Sequence, residues 1–276
     1  MNTAVPNTNS QALYGSWGFE DRTYIVTGGG SGIGRAVALA LVGAGARVVV
    51  AGRTPEKLEE TVELAGKAGG EALAVPTDVR DPEAVEALVA AGVERFGRLD
   101  GLVNNAAGNF VAPGIDLSPN GWHAVVDIVL NGTYYCTRAV ARHLREQGTG
   151  GSILSVIATY AWHGHPGTVH SAAAKAGVLA MTRTLAVELA PLGVRLNCIA
   201  PGPTETEGAG AALWATPTAR DRVLSTVPSA RFATPEEIAD TSLFLLSERS
   251  AYVTGECLTV DGGQWLGKQV YGQSKG

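Results

Sequence analysis

Short runs of apolar residues alternate along the chain with longer segments in which apolar residues recur every three or four positions. The short runs are rich in Val, Ile, Leu and Ala, and their length predicts strands that are buried on both faces. They cover Thr23–Thr27, Arg47–Ala51, Ala72–Val75, Leu99–Val103, Ser152–Ile157, Val194–Ile199 and Cys257–Val260.

The longer segments have the period and the end signals of helices. Pro55 follows Thr54 and Pro82 follows Asp81, which is the usual order of a capping residue and the first residue of a helix. Helices are predicted from Pro55 and at Ile33–Gly45, Pro82–Phe96, Asn120–Gln147, Ser171–Leu189 and Pro235–Leu246. This alternation predicts an α/β protein: a single-domain, Rossmann-type doubly wound parallel sheet of about seven strands with helices on both faces.

Two stretches fall outside this rhythm. Residues 1–20 lack apolar periodicity and predict a flexible N-terminal arm. Residues 21–276 predict one domain without an internal linker. Within that domain the patch Gly208–Ala219 interrupts the alternation after a strand end, so residues 203–230 are expected to form a lid over a site.

Composition narrows the class of protein. The 276 residues are 45% hydrophobic, which suffices for a sizeable core. A net charge of −5 without a long basic run argues against nucleic acid or an anionic membrane as the main partner. No stretch is apolar for long enough to span a membrane, and no secretory signal is seen. The three cysteines are widely spaced, so neither disulfides nor a metal site is expected, and a cytoplasmic location is predicted.

A glycine-rich turn, TGGGSGIG from Thr27 to Gly34, joins the first predicted strand to the first helix. Gly28 permits a tight turn, Gly32 lets the backbone approach a pyrophosphate, and Gly34 lets helix and strand pack closely. The N-terminus of the helix adds free N–H groups and a positive dipole end. The nucleotide contacts expected here are Gly28, Ser31, Gly32, Ile33 and Gly34.

The tip of the second strand indicates which dinucleotide is bound. It ends at Arg53, with no Asp or Glu. An NAD site usually has an acid there for the ribose hydroxyls, whereas an arginine pairs with a 2′-phosphate. Arg53 therefore predicts NADP(H), with Arg35 and Lys57 as candidate helpers; a plain surface arginine is the alternative.

Further candidates follow the third, fourth and fifth strands. Asp78 is placed to accept from the adenine amine, and Asn105 and Ala106 would lie beside the adenosine. Ser171 and Lys175 are four residues apart in an Ala-rich helix, so both side chains can face one bound molecule. Upstream of them, at the end of a predicted strand, lies a tyrosine, Tyr160.

Together these motifs resemble the short-chain dehydrogenase/reductase family. The resemblance covers residues 21–266 and rests on the glycine turn, the NNAAG run, the Lys175 helix, and the APG and DGG tripeptides that begin at Ala200 and Asp261. It implies a doubly wound fold, a nicotinamide cofactor and a homotetramer built through the long helices. The additional cofactor contacts that it implies are Val79, Lys175, Pro201, Gly202 and Thr204.

The usual active site of that family, Asn-Ser-Tyr-Lys, is altered at three positions. Ser171 stands at the Tyr position, Ala158 at the Ser position and Val129 at the Asn position. The pKa of a serine hydroxyl lies far above that of tyrosine, which is about 10. Ser171 therefore cannot do the acid–base work of a tyrosine at neutral pH without a separate base, and this argues against ordinary carbonyl–alcohol chemistry.

The altered pattern is similar to that of 2,4-dienoyl-CoA reductases, in which an Asn, a Tyr, a Ser and a Lys serve the reaction. The shared stretches include AAGNF, DIVLNGT, PGP and a Tyr eleven residues before the Ser. The four residues fall on Asn109, Tyr160, Ser171 and Lys175. The resemblance implies NADPH-dependent reduction of 2,4-dienoyl-CoA to 3-enoyl-CoA in unsaturated fatty acid oxidation. Asn109 and Tyr160 would donate to the thioester oxygen, Lys175 would hold the nicotinamide ribose, and Ser171 would assist on the cofactor side.

Two alternatives stay open. One is a carbonyl reductase for a 3-oxoacyl thioester or a small ketone, with Tyr160 as its evident proton donor. The other is a non-catalytic NADP-binding protein, which the replacement of the usual Ser and Tyr would suit. For Ser171 itself, the alternative is a helix N-cap. His163, His165 and His170 crowd one loop, but no acid or cysteine lies near them and no metal site is expected. His165 or His170 is a candidate to line the acyl pocket.

Overall fold

The computed structural model describes residues 17–206, 208, 214 and 216–267. Within these residues the chain forms one sheet of seven strands in the order β3-β2-β1-β4-β5-β6-β7. The strands are β1 (Thr23–Thr27), β2 (Arg47–Gly52), β3 (Ala72–Pro76), β4 (Gly101–Asn104), β5 (Gly151–Val156), β6 (Val194–Pro201) and β7 (Cys257–Val260). Every pairing is parallel, which confirms the predicted doubly wound sheet.

Helices connect the strands. They are α1 (Gly32–Gly43), α2 (Pro55–Lys67), α3 (Pro82–Phe96), α4 (Pro119–Val126), α5 (Gly132–Gln147), α6 (Tyr160–His163), α7 (Val169–Leu189), α8 (Pro217–Leu224) and α9 (Pro235–Leu246). The predicted cap at Asp81 is confirmed, because its side chain accepts from the backbone N–H of Glu83. Thr54 occupies the N-cap of α2 without a side-chain cap bond.

Successive residues of the central strands face opposite layers. Ile25 belongs to a buried cluster with Leu88 of α3, and Val26 belongs to another with Leu41 of α1. All four side chains are buried. Because strand side chains alternate between the two faces of a sheet, this chain needs an apolar helical layer on each side, and the predicted covering of both faces is confirmed.

The strand order reverses at β1, which pairs with β2 on one side and with β4 on the other. The carboxyl ends of β1 and β4 therefore flank a crevice. In doubly wound sheets ligands bind in the crevice at this switch point. Here it lies between the glycine turn after β1 and the loop that follows Asn104.

The helix expected over Asn120–Gln147 is observed as α4 and α5 with a π-helical turn, Asp127–Asn131, between them. A Cβ on Gly132 would lie 2.6 Å from Cγ2 of Val79, so the chain passes very close to the loop after β3 at this point. Apolar periodicity does not distinguish one π turn from an α turn, which explains why the pattern predicts an unbroken helix.

The predicted flexible arm, residues 1–20, is corrected at its C-terminal end. Its first sixteen residues lie outside the described part of the chain. Phe19 is fully buried, with its ring centroid 5.6 Å from that of Tyr24, and the guanidinium of Arg249 lies 4.0 Å from the centroid of the Trp17 ring. Two packed aromatic side chains are too few to create a periodic pattern, so the sequence does not reveal this contact.

The predicted lid, residues 203–230, is described only in part. Thr204 forms an isolated parallel bridge with Ala233, and α8 lies in the second half of the lid. Residues 207, 209–213 and 215 lie outside the described residues. The three cysteines are free. None of the described helices has the length and apolar character needed to cross a membrane.

Candidate active site

The glycine turn is packed so closely that side chains are excluded at two points. A Cβ added at Gly34 would lie 2.2 Å from the carbonyl oxygen of Gly28, and Gly28 has a φ of 64°. Ser31 takes the N-cap position of α1 in an extended conformation and makes no side-chain cap bond. The first N–H groups of α1 are therefore not taken up by a cap, which fits a site for a bound phosphate.

Asn105 and Thr27 lock this turn to the loop after β4. The side-chain amide of Asn105 donates to the carbonyl of Thr27 at 3.0 Å and to that of Gly28 at 3.3 Å. The hydroxyl of Thr27 accepts from the backbone N–H groups of Asn105 and Ala106 at 3.0 and 3.1 Å. The Asn105 side chain, predicted to contact the cofactor, thus supports the shape of the turn.

A cleft of about 560 Å³ opens at this edge of the sheet. The predicted residues that it brings together are Gly28, Ser31, Gly32, Ile33, Arg53, Asp78, Val79, Asn105, Ala106, Asn109 and Tyr160. The predicted residues outside its lining are Gly34, Ser171, Lys175, Pro201, Gly202 and Thr204. Gly34 packs against Gly28 of the turn, Ser171 is hydrogen bonded to Tyr160 of the cleft lining, and Lys175 is hydrogen bonded to the carbonyl of Val156.

Two cations, Arg53 and Lys57, line the β2 end of the cleft. The carboxylate of Asp78 lines it too, and Nε of Arg80 donates to both of its oxygens at 3.0 Å. This hydrogen bonding holds the pKa of Asp78 below its usual value. Because Arg80 neutralises Asp78, the positive charges of Arg53 and Lys57 remain available to bind an anion. A 2′-phosphate would need such a site.

The segment after β6 is fixed by the turn that follows β7. The hydroxyl of Thr204 donates to the carbonyl of Gly202 at 3.1 Å, and a Cβ on Gly202 would lie 2.7 Å from Cα of Asp261. The carboxylate of Asp261 accepts from the backbone N–H groups of Gly263 and Trp265 at 2.9 and 2.8 Å. Asp261 is thus a structural turn residue that holds the start of the lid.

The hydroxyl groups of Tyr160 and Ser171 are hydrogen bonded, with 3.0 Å between their oxygens. Tyr160 begins α6 beyond the end of β5, so its predicted place at a strand end is wrong. Ser171 lies inside the first turn of α7, whose N-cap position is Thr168, so Ser171 is not the N-cap. Burial raises the pKa of Tyr160, and the bond with Ser171 opposes this only in part. The phenol therefore stays protonated and able to donate at neutral pH.

Lys175 lies one turn further along α7 and is buried. Its Nζ donates to the carbonyl of Val156 at the end of β5. Burial lowers the pKa of Lys175 to about 8, so the side chain is mainly cationic at neutral pH. An ammonium group has more donor hydrogens than one carbonyl accepts, and Lys175 can therefore also hold a sugar hydroxyl.

Asn109 enters the cleft from the loop after β4. Its side-chain oxygen accepts from the backbone N–H of Phe110 at 2.9 Å. With the oxygen engaged, the amide nitrogen is the group that Asn109 offers as a donor. The cleft therefore holds two neutral donors, the amide of Asn109 and the hydroxyl of Tyr160.

Two of the three positions that depart from the family pattern, Val129 and Ala158, have no polar side chain. Val129 is fully buried in an apolar cluster with Val178 of α7, and Ala158 has only a methyl group. The described residues contain no group of three or more His, Cys, Asp or Glu side chains that could hold a metal ion.

Lys57, a candidate helper of Arg53, lines the cleft, whereas the position of His170 differs from the acyl-pocket lining that the sequence suggests. His170 is fully buried, so it does not line an open acyl pocket. It accepts from the backbone N–H of Ser171 through Nδ1 at 2.8 Å, and its ring packs at right angles to Phe110 with 4.5 Å between centroids. The contact with Phe110 leaves no pattern in the sequence, so this role of His170 could not be predicted from it.

A doubly wound sheet with a glycine turn at its switch point, and a Tyr, a Ser and a Lys beside the same cleft, defines a nucleotide-dependent oxidoreductase. A family described as enoyl-(acyl carrier protein) reductase matches residues 28–264. The chain belongs to the short-chain dehydrogenase/reductase family, as its motifs predict.

Two curated relatives are similar over almost the whole chain. A probable 2,4-dienoyl-CoA reductase of Bacillus subtilis, named as (2E)-enoyl-CoA-producing, is 49% identical over 90% of this chain and 98% of its own length. A peroxisomal 2,4-dienoyl-CoA reductase of Saccharomyces cerevisiae, named as (3E)-enoyl-CoA-producing, is 39% identical over 96% of this chain and 92% of its own length.

Solved structures of the family agree with the fold. A short-chain dehydrogenase of Bacillus anthracis is 47% identical, with a TM-score of 0.81 over 89% of this chain and 97% of that chain. A putative 2-deoxy-D-gluconate 3-dehydrogenase of Agrobacterium tumefaciens with bound NADP is 34% identical, with a TM-score of 0.84 over 91% of this chain and 99% of that chain. Both likenesses extend over about nine-tenths of this chain.

Proposed function

We propose that the protein is an NADPH-dependent reductase that converts a 2,4-dienoyl-CoA to a 3-enoyl-CoA in the oxidation of unsaturated fatty acids. The observation that carries this proposal is that two neutral donors, Asn109 and Tyr160, line the same cleft as the glycine turn. The names of the Bacillus subtilis and yeast relatives support the substrate class.

Neutral donors suit the reduction of a conjugated thioester. Addition of hydride at the far carbon, Cδ, moves negative charge onto the thioester oxygen, giving a dienolate. Donors already directed at that oxygen lower the barrier because they need no rearrangement as the charge develops. Asn109 and Tyr160 supply them, and the phenol of Tyr160 keeps its proton because burial raises its pKa.

Ser171 and Lys175 prepare the cofactor side. The nicotinamide ring supplies the hydride when it is bound. Lys175, anchored on the carbonyl of Val156, holds the nicotinamide ribose through its remaining donor hydrogens. Ser171 assists on the same side and, through its bond to Tyr160, fixes the direction of the phenol hydroxyl.

The preference for NADPH rests on charge at the β2 end of the cleft. Arg53 and Lys57 line it, and Arg80 neutralises the acid there, Asp78. Close packing at Gly34, where the space that a Cβ would need is filled, fixes the turn whose backbone N–H groups would hold a pyrophosphate. The remaining nucleotide contacts are assigned to Gly28, Ser31, Gly32, Ile33, Val79, Asn105, Ala106, Pro201, Gly202 and Thr204.

The relatives differ in the product that their names state, since one is (2E)- and the other (3E)-enoyl-CoA-producing. Both products come from one dienolate. Protonation at Cγ leaves the 2-enoyl thioester, and protonation at Cα leaves the 3-enoyl thioester. We assign both cleft donors, Asn109 and Tyr160, to the oxygen, which leaves carbon protonation to water at Cα.

Initial rates of NADPH consumption with 2,4-hexadienoyl-CoA, acetoacetyl-CoA and crotonyl-CoA test this function. Turnover of the dienoyl substrate alone is expected. Turnover of acetoacetyl-CoA alone would mean a carbonyl reductase with Tyr160 as its acid. Tight NADPH binding without turnover of any of the three would favour a non-catalytic NADP-binding protein.

We also propose that the enzyme is a cytoplasmic homotetramer. The long helices α5 and α7 carry apolar side chains on their outer faces, where Tyr134 is 45% exposed and Val187 is 76% exposed. Such side chains are typical of helices that pack against a second copy. Light scattering should give the mass of four chains, and a monomer would contradict this assembly.

A further inference from the structure

His170 lies where the two halves of the site meet. Its side chain is fully buried. Along the chain it directly precedes Ser171, whose hydroxyl is hydrogen bonded to that of Tyr160. Across the fold its ring packs against that of Phe110, the residue after Asn109. His170 therefore contacts the neighbours of both proposed oxygen donors without reaching the cleft itself.

Toward α7, His170 takes the place of a missing cap. The first N–H groups of a helix have no partner inside the helix. The N-cap residue Thr168 makes no side-chain cap bond, and its hydroxyl donates instead to the carbonyl of His165 at 3.2 Å. The backbone N–H of Ser171 donates to Nδ1 of His170 at 2.8 Å. The imidazole thus fixes the turn of α7 that presents Ser171 to Tyr160.

Toward the loop after β4, His170 supports Phe110. The two rings are perpendicular, at 89° with 4.5 Å between centroids. Because Nδ1 accepts, a neutral ring carries its proton on Nε2, and this buried atom has no hydrogen-bond partner among the described residues. Perpendicular packing brings the positive edge of one ring to the negative face of the other, which is attractive and directional.

The position of Phe110 in turn sets that of Asn109. The backbone N–H of Phe110 donates to the side-chain oxygen of Asn109 at 2.9 Å. If Phe110 moved, this bond would turn the Asn109 amide with it. Contacts therefore run without a break from the Asn109 amide through Phe110, His170 and Ser171 to the Tyr160 hydroxyl.

We propose that His170 is a positioning residue that sets the separation of the Asn109 amide and the Tyr160 hydroxyl, so that both donors meet one thioester oxygen. This inference rests on the proposed reduction of a dienoyl thioester. It assigns His170 a role through other residues, with no contact to the substrate.

Kinetics of His170→Asn, alone and combined with Asn109→Ala, test the proposal. An asparagine keeps an acceptor for the N–H of Ser171 but loses the ring that supports Phe110. His170→Asn should lower kcat with 2,4-hexadienoyl-CoA by about 10-fold or more, since a small misplacement of a catalytic group is costly, and should leave KM for NADPH nearly unchanged. In the Asn109→Ala background the same change should cost less than about 2-fold, because the group that it displaces is gone.

Effects that multiply in the double variant would overturn the proposal. His163→Asn is the matched control, because His163 is an exposed histidine at the end of α6, and its rate should stay close to that of the parent enzyme. His170→Ala removes both contacts and should lower kcat more than His170→Asn does.

Crystal structures of the parent and of His170→Asn give a readout that does not depend on activity. The distance between the Asn109 amide nitrogen and the Tyr160 hydroxyl should change, and an unchanged distance would contradict the proposal. If the parent enzyme does not reduce a dienoyl-CoA while the distance still changes, the proposed function fails and the positioning role of His170 stands.

Discussion

At the scale of residues, Tyr160 and Asn109 reach the same cleft by different means. Tyr160 starts a short helix and is held by Ser171, whereas Asn109 lies in a loop and is held by the N–H of Phe110. Neither stands at a position of the family's usual active site. Carbonyl reduction needs a proton donor for the alkoxide that forms, whereas reduction of a conjugated thioester needs hydrogen-bond donors that stabilise an oxyanion. Asn109 and Tyr160 suit the second reaction.

Replacement of Tyr160 by Phe removes one donor and keeps the ring. We expect kcat with 2,4-hexadienoyl-CoA to fall by about 10²–10³-fold, which is the usual loss for one oxyanion donor. Steady-state kinetics measure it, with Tyr252→Phe as the control because Tyr252 is fully solvent exposed. A Tyr160→Phe rate within a few-fold of the parent would exclude the phenol as a donor.

Replacement of Arg53 by Ala removes charge from the β2 end of the cleft. If Arg53 pairs with the 2′-phosphate, KM for NADPH should rise by about 10-fold or more, because Arg53→Ala removes a charge-assisted bidentate ion pair. KM for NADH should change little, because NADH has no 2′-phosphate. Lys67→Ala is the control, since Lys67 is exposed in the last turn of α2. Equal effects on the two cofactors would show that Arg53 does not read the phosphate.

Burial of Lys175 makes stability depend on pH. Its pKa is lowered from 10.5 to about 8 in the fold, so the unfolded chain binds more protons between these values. Stability therefore rises with pH through that window, and about 2 kcal/mol of the cost of burying the charge is relieved between pH values of about 7 and 9.5.

The matched variant for this effect is Lys175→Met, which keeps the volume and cannot titrate. Urea unfolding of both proteins at the two pH values gives the contribution of Lys175, including its electrostatic interaction with the neighbouring Cys198 thiol. The stability advantage of the Met variant should shrink as pH rises. An advantage independent of pH would mean that Lys175 has an ordinary pKa.

The sequence predicts those site residues whose proposed roles depend on their spacing along the chain. Ser171 and Lys175 are one helical turn apart, and Tyr160 precedes Ser171 by a fixed interval. The role of His170 could not be predicted in this way, because it depends on a contact with Phe110 that only the folded chain creates. The pairing of Asp78 with Arg80 likewise depends on the loop geometry after β3.

At the scale of elements, the turn between β1 and α1 is the most constrained part of the site. Gly34 has no space for a Cβ, since it would lie 2.2 Å from the oxygen of Gly28 and 2.5 Å from the amide nitrogen of Asn105. Both neighbours belong to the locked turn, so neither can give way without disturbing it. The N-terminus of α1 and the loop after β4 are therefore positioned together.

Gly34→Ala should destabilise the fold by roughly 3 kcal/mol, in the range of overpacked sites, and weaken NADPH binding. Gly43→Ala in the same helix is the control, because nothing lies within 4 Å of the point where its methyl group would stand, and it should be neutral or slightly stabilising. Thermal unfolding and NADPH titration measure both. Equal stability of the two variants would contradict the close packing at Gly34.

At the scale of the whole molecule, the strand and helix rhythm predicts the class of fold because a parallel sheet buries both faces of every strand. It does not predict the order of strands, which is set by the pairing of β1 with both β2 and β4. It also misses the packing of Phe19 before β1 and the π turn before α5. These features arise from contacts between segments and produce no periodic pattern of apolar residues in the sequence.

The position of the remaining double bond after turnover is the most direct test of the proposed reaction. The parent enzyme is incubated with NADPH and 2,4-hexadienoyl-CoA, and the thioester product is analysed by proton NMR. We predict a product that keeps its thioester, carries two new hydrogens at Cδ and Cα, and has one double bond between Cβ and Cγ. A 2-enoyl thioester would contradict protonation at Cα, and an unchanged dienoyl thioester would contradict the proposed dienoyl-CoA reductase activity.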